Sequence, residues 1–161
     1  MKVNKLFTAK ILSTCFGIGF FPFAPGTVTS VAAVLCYFFI PALHQVPLLL
    51  SLVVLLTAAG VWAGGLMEDE YGSDPSIVTI DELVGQWLAL AALPEGLLPV
   101  LLSLAFFRFF DIAKPGPVDA VQRFPGGWGI MADDVLAGLF ANLSVRGVLV
   151  LLTVFHFPAS L

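Results

Sequence analysis

Apolar residues gather along this chain into five segments, Val28–Leu43, Val46–Met67, Leu83–Leu93, Leu97–Phe107 and Val135–Phe157. The short stretches between them hold most of the charge. Each segment reads as a helix, so the predicted fold is all-α. A helical crossing of a bilayer takes about 20 apolar residues, with about 17 as a working minimum. Val46–Met67 meets that length, whereas Val28–Leu43 is marginal and ends between Pro41 and Pro47, as the first arm of a hairpin would. Leu83–Leu93 and Leu97–Phe107 are too short alone. The Pro94-Glu95-Gly96 turn between them suggests a re-entrant pair or two helices buried in protein. Val135–Phe157 is long enough but carries Arg146, which must snorkel, line a polar cavity or mark a break.

Two hairpins organise this pattern. With the Lys-rich start (Lys2, Lys5, Lys10) on the cytoplasmic side, the first returns the chain near Glu68 and the second near Arg108. The polar clusters Lys2–Lys10, Glu68–Glu82, Arg108–Arg123 and Asp133–Asp134 then share one face. The expectation is one site, facing the cytoplasm, in a compact helical membrane-embedded domain with several transmembrane or re-entrant helices. Residues 1–161 form one domain, with no internal repeat, no low-complexity tract and no dividing linker.

Composition supports the bilayer. The 161 residues are 59% hydrophobic and 11% charged, with a mean hydropathy of +1.01, where a soluble domain carries about a quarter charged residues. The rival is a helical oligomer with very apolar subunit contacts, and homo-oligomerisation is left open. The net charge of -4, without a Lys/Arg stripe, excludes a nucleic-acid partner. Cys15 and Cys36 sit alone in apolar stretches and read as small buried residues rather than a disulfide or metal pair. The basic start lacks the cleavage pattern of a secretory signal.

Four polar segments carry candidate chemistry. In Gly17–Ser30, prolines and glycines fix a loop, and Thr27, Thr29 and Ser30 stand where a helix would start. Free N–H groups and hydroxyls there can receive phosphate oxygens, or simply cap the helix. The GxxxxGK[ST] pattern of a nucleotide loop is absent. In Asp74–Gly85, Asp81 and Glu82 open a helix. The dipole favours them there, but they begin an apolar segment, where unpaired carboxylates call for a cation. Adjacent residues diverge by about 100° on a helix, so only one of the two is expected to reach a metal directly.

In Phe107–Pro117, Arg108, Asp111 and Lys114 recur every third residue and would line one helix face. The trio is either a salt-bridge ladder or a phosphate grip with a magnesium ligand. In Gly126–Gly138, Asp133 and Asp134 stand at the start of an apolar helix, repeating the first design: Asp81-Glu82 with Gly85, Asp133-Asp134 with Gly138. Two such pairs plus Asp111 make an oxygen-rich magnesium site. His44 and His156 lie far from these clusters, so base work falls to a carboxylate or to water activated by the metal. There is no GxSxG elbow.

Taken in order, these segments resemble the bacterial lipid phosphatase family phosphatidylglycerophosphatase A. The matching residues are Pro25-Gly26-Thr27 with Ser30; Ile77-Val78 with Asp81-Glu82 and Gly85; Phe107-Arg108 with Asp111, Lys114-Pro115 and Pro117; and Gly127-Trp128-Gly129-Ile130-Met131 with Asp133-Asp134 and Ala137-Gly138. Thr29 departs from a frequent Gly, and Thr79-Ile80 from a commonly aromatic position. The resemblance implies magnesium-dependent hydrolysis of phosphatidylglycerophosphate to phosphatidylglycerol and inorganic phosphate, in a multi-pass protein of the bacterial inner membrane.

The expected magnesium ligands are Asp81, Glu82, Asp111, Asp133 and Asp134. Asp81, Asp111 and Asp134 are expected to be catalytic together with Arg108 and Lys114, and Thr27 and Ser30 to join those two in holding the phosphate. Attack by water and a covalent aspartyl phosphate are both open. Two other readings stand: a small membrane cation carrier, which Arg108 and Lys114 argue against, and a soluble helical hydrolase of another phosphomonoester.

Overall fold

The computed structural model describes residues 2–155, of which Lys2 is described in its backbone alone; His156 and the end of the fifth apolar segment lie outside that range. Seven α-helices make up the described chain, with no strand: α1 Lys2–Ser13, α2 Pro25–Phe39, α3 Val46–Tyr71, α4 Ile80–Leu90, α5 Leu97–Ala113, α6 Pro117–Gln122 and α7 Gly127–Val154. Prolines start α2 and α6 and sit in the first turn of α3, where a missing N–H costs nothing. Gly72, at φ 93°, ends α3 in a conformation that a side chain would resist.

Helices α3 and α7 are long and apolar enough to cross a membrane. At 1.5 Å per residue they measure about 39 and 42 Å against a hydrocarbon thickness of about 30 Å. The short apolar pair is observed as α4 and α5, joined at Pro94-Glu95-Gly96. The Pro-rich stop after Lys114 forms α6, which the apolar pattern did not indicate.

Helix α4 sits centrally, packed against α2, α3, α5 and α7. Its core residues Ile80, Val84 and Trp87 join Met67, Ile130 and Met131 in one cluster. A second cluster, Phe107, Val118, Ala137 and Ala141 with Ala89, fills the space between α4, α5, α6 and α7. Small residues allow close crossings. On α3, Gly60 and Gly64 face Met131 and Gly127 of α7. Between α4 and α7, a Cβ at Gly138 would run into the carbonyl oxygen of Gly85. Gly85 in turn lies against the Phe107 ring and the Asp134 carbonyl, so it admits a neighbouring helix.

Arg146 also finds its role here. Asn142 Nδ2 donates to the carbonyls of Ala89 and Ala91 at 3.0 and 2.8 Å, and Arg146 Nη2 donates to Ala91 and Ala92 at 3.1 and 2.7 Å. Arg146 Nε donates to Asn142 Oδ1 at 2.8 Å, which fixes both side chains. Together they satisfy carbonyls that the end of α4 would leave orphaned. Cys15 is buried, as expected, but Cys36 is exposed, on the outward face of α2.

The crossing at Gly138 yields a prediction. Gly138→Ala should destabilise the protein by about 1–3 kcal/mol, the usual cost of overpacking. It should also lower activity more than the stability loss explains, because it separates the helices that carry Asp81 and Asp134. Thermal unfolding and turnover of the same detergent-solubilised sample check this.

Candidate active site

Three connections, before α2, before α4 and after α5, meet the body of α7 and enclose a cavity of about 270 Å³. Its walls carry Asp74, Asp81, Glu82, Asp111, Asp133 and Asp134 against only two cationic side chains, Arg108 and Lys114. The α3–α4 connection is clamped by the end of α1 and the loop after it: Thr79 N–H donates to the Ser13 carbonyl at 2.8 Å, and Gly19 lies against the Ile77 carbonyl. That clamp sets where α4 begins, and Asp81 and Glu82 occupy its first turn.

Asp81, Glu82 and Asp134 each bring one carboxylate oxygen into a group whose members all lie within 4.8 Å of one another. Both members of the first pair therefore converge on one point, where only one was expected to reach. Asp81 Oδ1, Glu82 Oε2 and Asp134 Oδ2 are buried without a hydrogen-bond partner. Gly26, in the first turn of α2, makes room for this arrangement, since a Cβ there would occupy the position of Glu82 Oε1.

The other two expected ligands line the cavity with their charge already engaged. Asp111 Oδ2 lies 2.5 Å from Arg108 Nη1, which also reaches Glu82 Oε1 at 4.0 Å. Arg108 Nε and Nη1 are buried without an aligned hydrogen-bond acceptor. Asp133 Oδ2 accepts from Lys114 Nζ at 2.7 Å, and its Oδ1 accepts from the Asp134 backbone N–H at 3.0 Å. Two helical assumptions need correction. Lys114 does not continue the face of Arg108 and Asp111, because α5 ends at Ala113 and Lys114, at φ 41°, turns towards α7. Asp133 and Asp134 are not at a helix start, because α7 begins at Gly127, about 9 Å earlier along its axis.

Thr27 and Ser30 are not among the cavity walls; Ser30 Oγ donates to the Gly26 carbonyl at 2.9 Å. The first loop contributes Ala24, Pro25 and Gly26 instead. Sequence reasoning also passed over Asp74 and Ser76. Asp74, at φ 48°, accepts from Gln122 Nε2 of α6 at 2.9 Å, and the polar Asp74-Pro75-Ser76 run before the carboxylate pair was its only signal. His44 lies at the far end of the bundle, bonded to the Tyr37 carbonyl.

Burial, and then the charges of Glu82 and Asp134, hold the Asp81 carboxyl well above its ordinary range. Burial similarly raises Glu82, against the lowering influence of the neighbouring Asp81 hydrogen bond and of Arg108. Burial works against the charged form of Lys114, but its bond to Asp133 and the charges of Asp133, Asp74 and Asp134 outweigh this and raise it. Burial pushes the Cys15 thiol up to about 12, which removes it as a nucleophile.

Such a site suits a hard divalent cation, being made of carboxylate oxygens alone with three of them unpartnered. Beside it, Arg108 and Lys114 offer donors to an anion. The sequence model of the family described as phosphatidylglycerophosphatase A matches residues 11–149. The chain belongs to the phosphatidylglycerophosphatase A family. It is thus a phosphatase.

Relatives agree on phosphatase activity and differ in the lipid named. Proteins described as phosphatidylglycerophosphatase A from Haemophilus influenzae and Escherichia coli are 33% and 35% identical, covering 91% and 81% of this chain and 92% and 77% of their own lengths. A Bacteroides thetaiotaomicron protein described as a "Putative phosphatidylinositol-3-phosphatase" is 42% identical, covering 86% of this chain and 92% of its own. No solved structure matches the chain.

The raised carboxylates give a pH prediction. Folding lifts Asp81 and Glu82 above their unfolded values, so between the two ranges the folded state binds protons that the unfolded chain has released. Stability in chelator should therefore fall as pH rises through and above the ordinary carboxylate range, and a divalent cation should flatten that slope. Asp134→Asn should raise the melting temperature in chelator while cutting turnover at least about a hundredfold. Thermal scans with and without chelator, paired with activity, test both statements.

Proposed function

We propose that the chain is a magnesium-dependent phosphatase embedded in a bilayer, removing the terminal phosphate of phosphatidylglycerophosphate to leave phosphatidylglycerol and inorganic phosphate. One observation carries the reading: Asp81, Glu82 and Asp134 each bring a carboxylate oxygen within 4.8 Å of the others, and each holds a buried oxygen without a hydrogen-bond partner, beside the Arg108 guanidinium. Asp81, Glu82 and Asp134 would hold the magnesium, whose chemistry is to neutralise phosphate charge and make phosphorus easier to attack.

The chain's own groups supply the rest. Arg108, whose Nε has no partner, donates to phosphoryl oxygens and holds the group in place as its charge shifts. Lys114, fixed by Asp133, adds positive charge from the α7 side. Asp111, oriented by Arg108 and outside the three-oxygen cluster, takes the proton of an attacking water or attacks phosphorus itself. Acid quenching of the enzyme with radiolabelled substrate separates these routes, since only the second leaves phosphate bound to protein.

Bilayer residence is supported by how little of α3 and α7 the fold covers. Their most apolar stretches have mean hydropathies of 2.3 and 2.0, yet only 22% and 28% of those residues are buried within the protein. A soluble core helix would be mostly buried. The bacterial relatives and the basic start, with Lys5 and Lys10 exposed or partly so, support an inner-membrane protein whose site faces the cytoplasm.

A second reading, phosphatidylinositol 3-phosphate as substrate, is favoured by the 42% identical relative. Both lipids present a phosphomonoester on a hydroxylated headgroup. Phosphate release from each, with magnesium and with chelator, should show magnesium-dependent turnover, faster on phosphatidylglycerophosphate. Faster release from the inositol lipid would reverse the substrate assignment, and turnover undiminished in chelator would remove the metal from it. Arg108→Lys should lower turnover about tenfold or more, because a lysine cannot reproduce the guanidinium fork.

A further inference from the structure

The catalytic reading leaves the first 23 residues without a role beyond clamping α4. Helix α1 exposes Val3, Phe7 and Ile11, which recur every fourth residue and so share one face. The loop after it exposes Phe16, Phe20, Phe21 and Phe23, with Phe16 and Phe23 87% and 79% accessible. An apolar depression of about 380 Å³, bordered by Phe7, Ile11, Phe16 and Phe20, joins the helix face to the loop.

Two features show that this exposure is built in. Cys15, Phe16 and Gly17 take φ values of 47°, 58° and 98° in succession. A left-handed phenylalanine is costly, and here the backbone cost displays an aromatic ring outward. Lys10, at the rim of the depression, has no carboxylate partner among the described residues; its Nζ donates to the Tyr71 hydroxyl at 2.9 Å and lies 5.2 Å from the Phe20 ring centre. Lys5 is exposed nearby on the same helix. Apolar residues beside lysines that no carboxylate neutralises among the described residues fit the acyl and headgroup layers of an anionic leaflet. At about 18 Å, α1 is too short to cross a bilayer.

Phe23 immediately precedes Ala24, Pro25 and Gly26 of the cavity wall. We infer that α1 and the Phe16–Phe23 loop form a lip that inserts into the surface of an anionic lipid leaflet and brings substrate lipids to the cavity. This rests on the lipid phosphatase reading for its second half only. The lip makes bilayer-borne substrate a better substrate than the same phosphomonoester in water, without taking part in the chemistry.

The test uses the full chain in phosphatidylcholine vesicles with and without phosphatidylglycerol. In Phe23→Trp, the added fluorescence should be quenched by lipids brominated high on their acyl chains, more strongly when phosphatidylglycerol is present. Quenching by an aqueous quencher alone, or shielding from both quenchers as in a protein–protein contact, would overturn the inference. Replacing Phe16, Phe20 and Phe23 together with serine should lower turnover of vesicle-borne substrate about tenfold or more, leaving turnover of a water-soluble phosphomonoester unchanged. Equal losses on both substrates, or none on vesicles, would also overturn it. Should the wild type release no phosphate at all, the catalytic reading fails and the quenching still decides whether the lip inserts.

Discussion

The site depends on α4 and α7 touching backbone to backbone. Gly85 lies against the Asp134 carbonyl and Gly138 against the Gly85 carbonyl, so no side chain separates the helices where they cross. That contact sets Asp81 and Glu82, one turn before Gly85, opposite Asp134, one turn before Gly138. A larger residue at either glycine would collide with the facing backbone carbonyl and push the helices apart. Gly26 imposes the same condition from α2, where it leaves space for Glu82. The glycines in these motifs therefore position charge rather than loosen the chain.

What this geometry gathers is unfavourable by itself. Arg108 pairs closely with Asp111 and reaches Glu82 only at 4.0 Å, and Lys114 pairs with Asp133, so Asp81, Glu82 and Asp134 repel one another with little compensation. The dipole of α4 favours Asp81 and Glu82 by about 0.3–1 kcal/mol, or up to about 2 when partly buried. An unpaired buried charge costs several kcal/mol, so the dipole falls short. Asp134 lacks even that help, since it sits well inside α7. Protonation relieves the strain in one way and a divalent cation in another, and only the second leaves the carboxylates ionised for work at neutral pH.

Much of this was legible in the sequence because the signals were local. Apolar segments separated by Pro and Gly gave the helices, and carboxylates beginning or interrupting apolar runs marked the site. The failures were matters of register and reach. The apolar pattern began the last helix at Val135, because Gly126, Gly127 and Gly129 read as a glycine-rich entry, so Asp133 and Asp134 were placed at its start. Periodicity put Lys114 on the face of Arg108 and Asp111, yet the residue takes a left-handed φ before Pro115, and no spacing rule signals that turn. Thr27 and Ser30 were chosen for their hydroxyls, whereas the contribution of that motif is the missing side chain of Gly26. Arg146 looked anomalous in an apolar run because its partners, the terminal carbonyls of α4, lie more than fifty residues away in the chain.

The two ends of the bundle differ in a way that bears on substrate. At the site end, the joins before α2, α4 and α6 and the interior of α7 bring carboxylates and cations into one cavity. At the opposite end, the turns after α2 and α4 meet around a hollow lined chiefly by Tyr37, Phe38, Leu90, Leu93 and Leu97, with Glu95 as its one charged residue. A protein surrounded by water gains from polar groups at both ends. Between these ends run the sparsely covered apolar faces of α3 and α7. On the reading proposed above, a phosphomonoester on a lipid headgroup would reach the cavity with its acyl chains beside these apolar helix faces. A soluble phosphate ester could use the same carboxylates but would gain nothing from the rest of the surface.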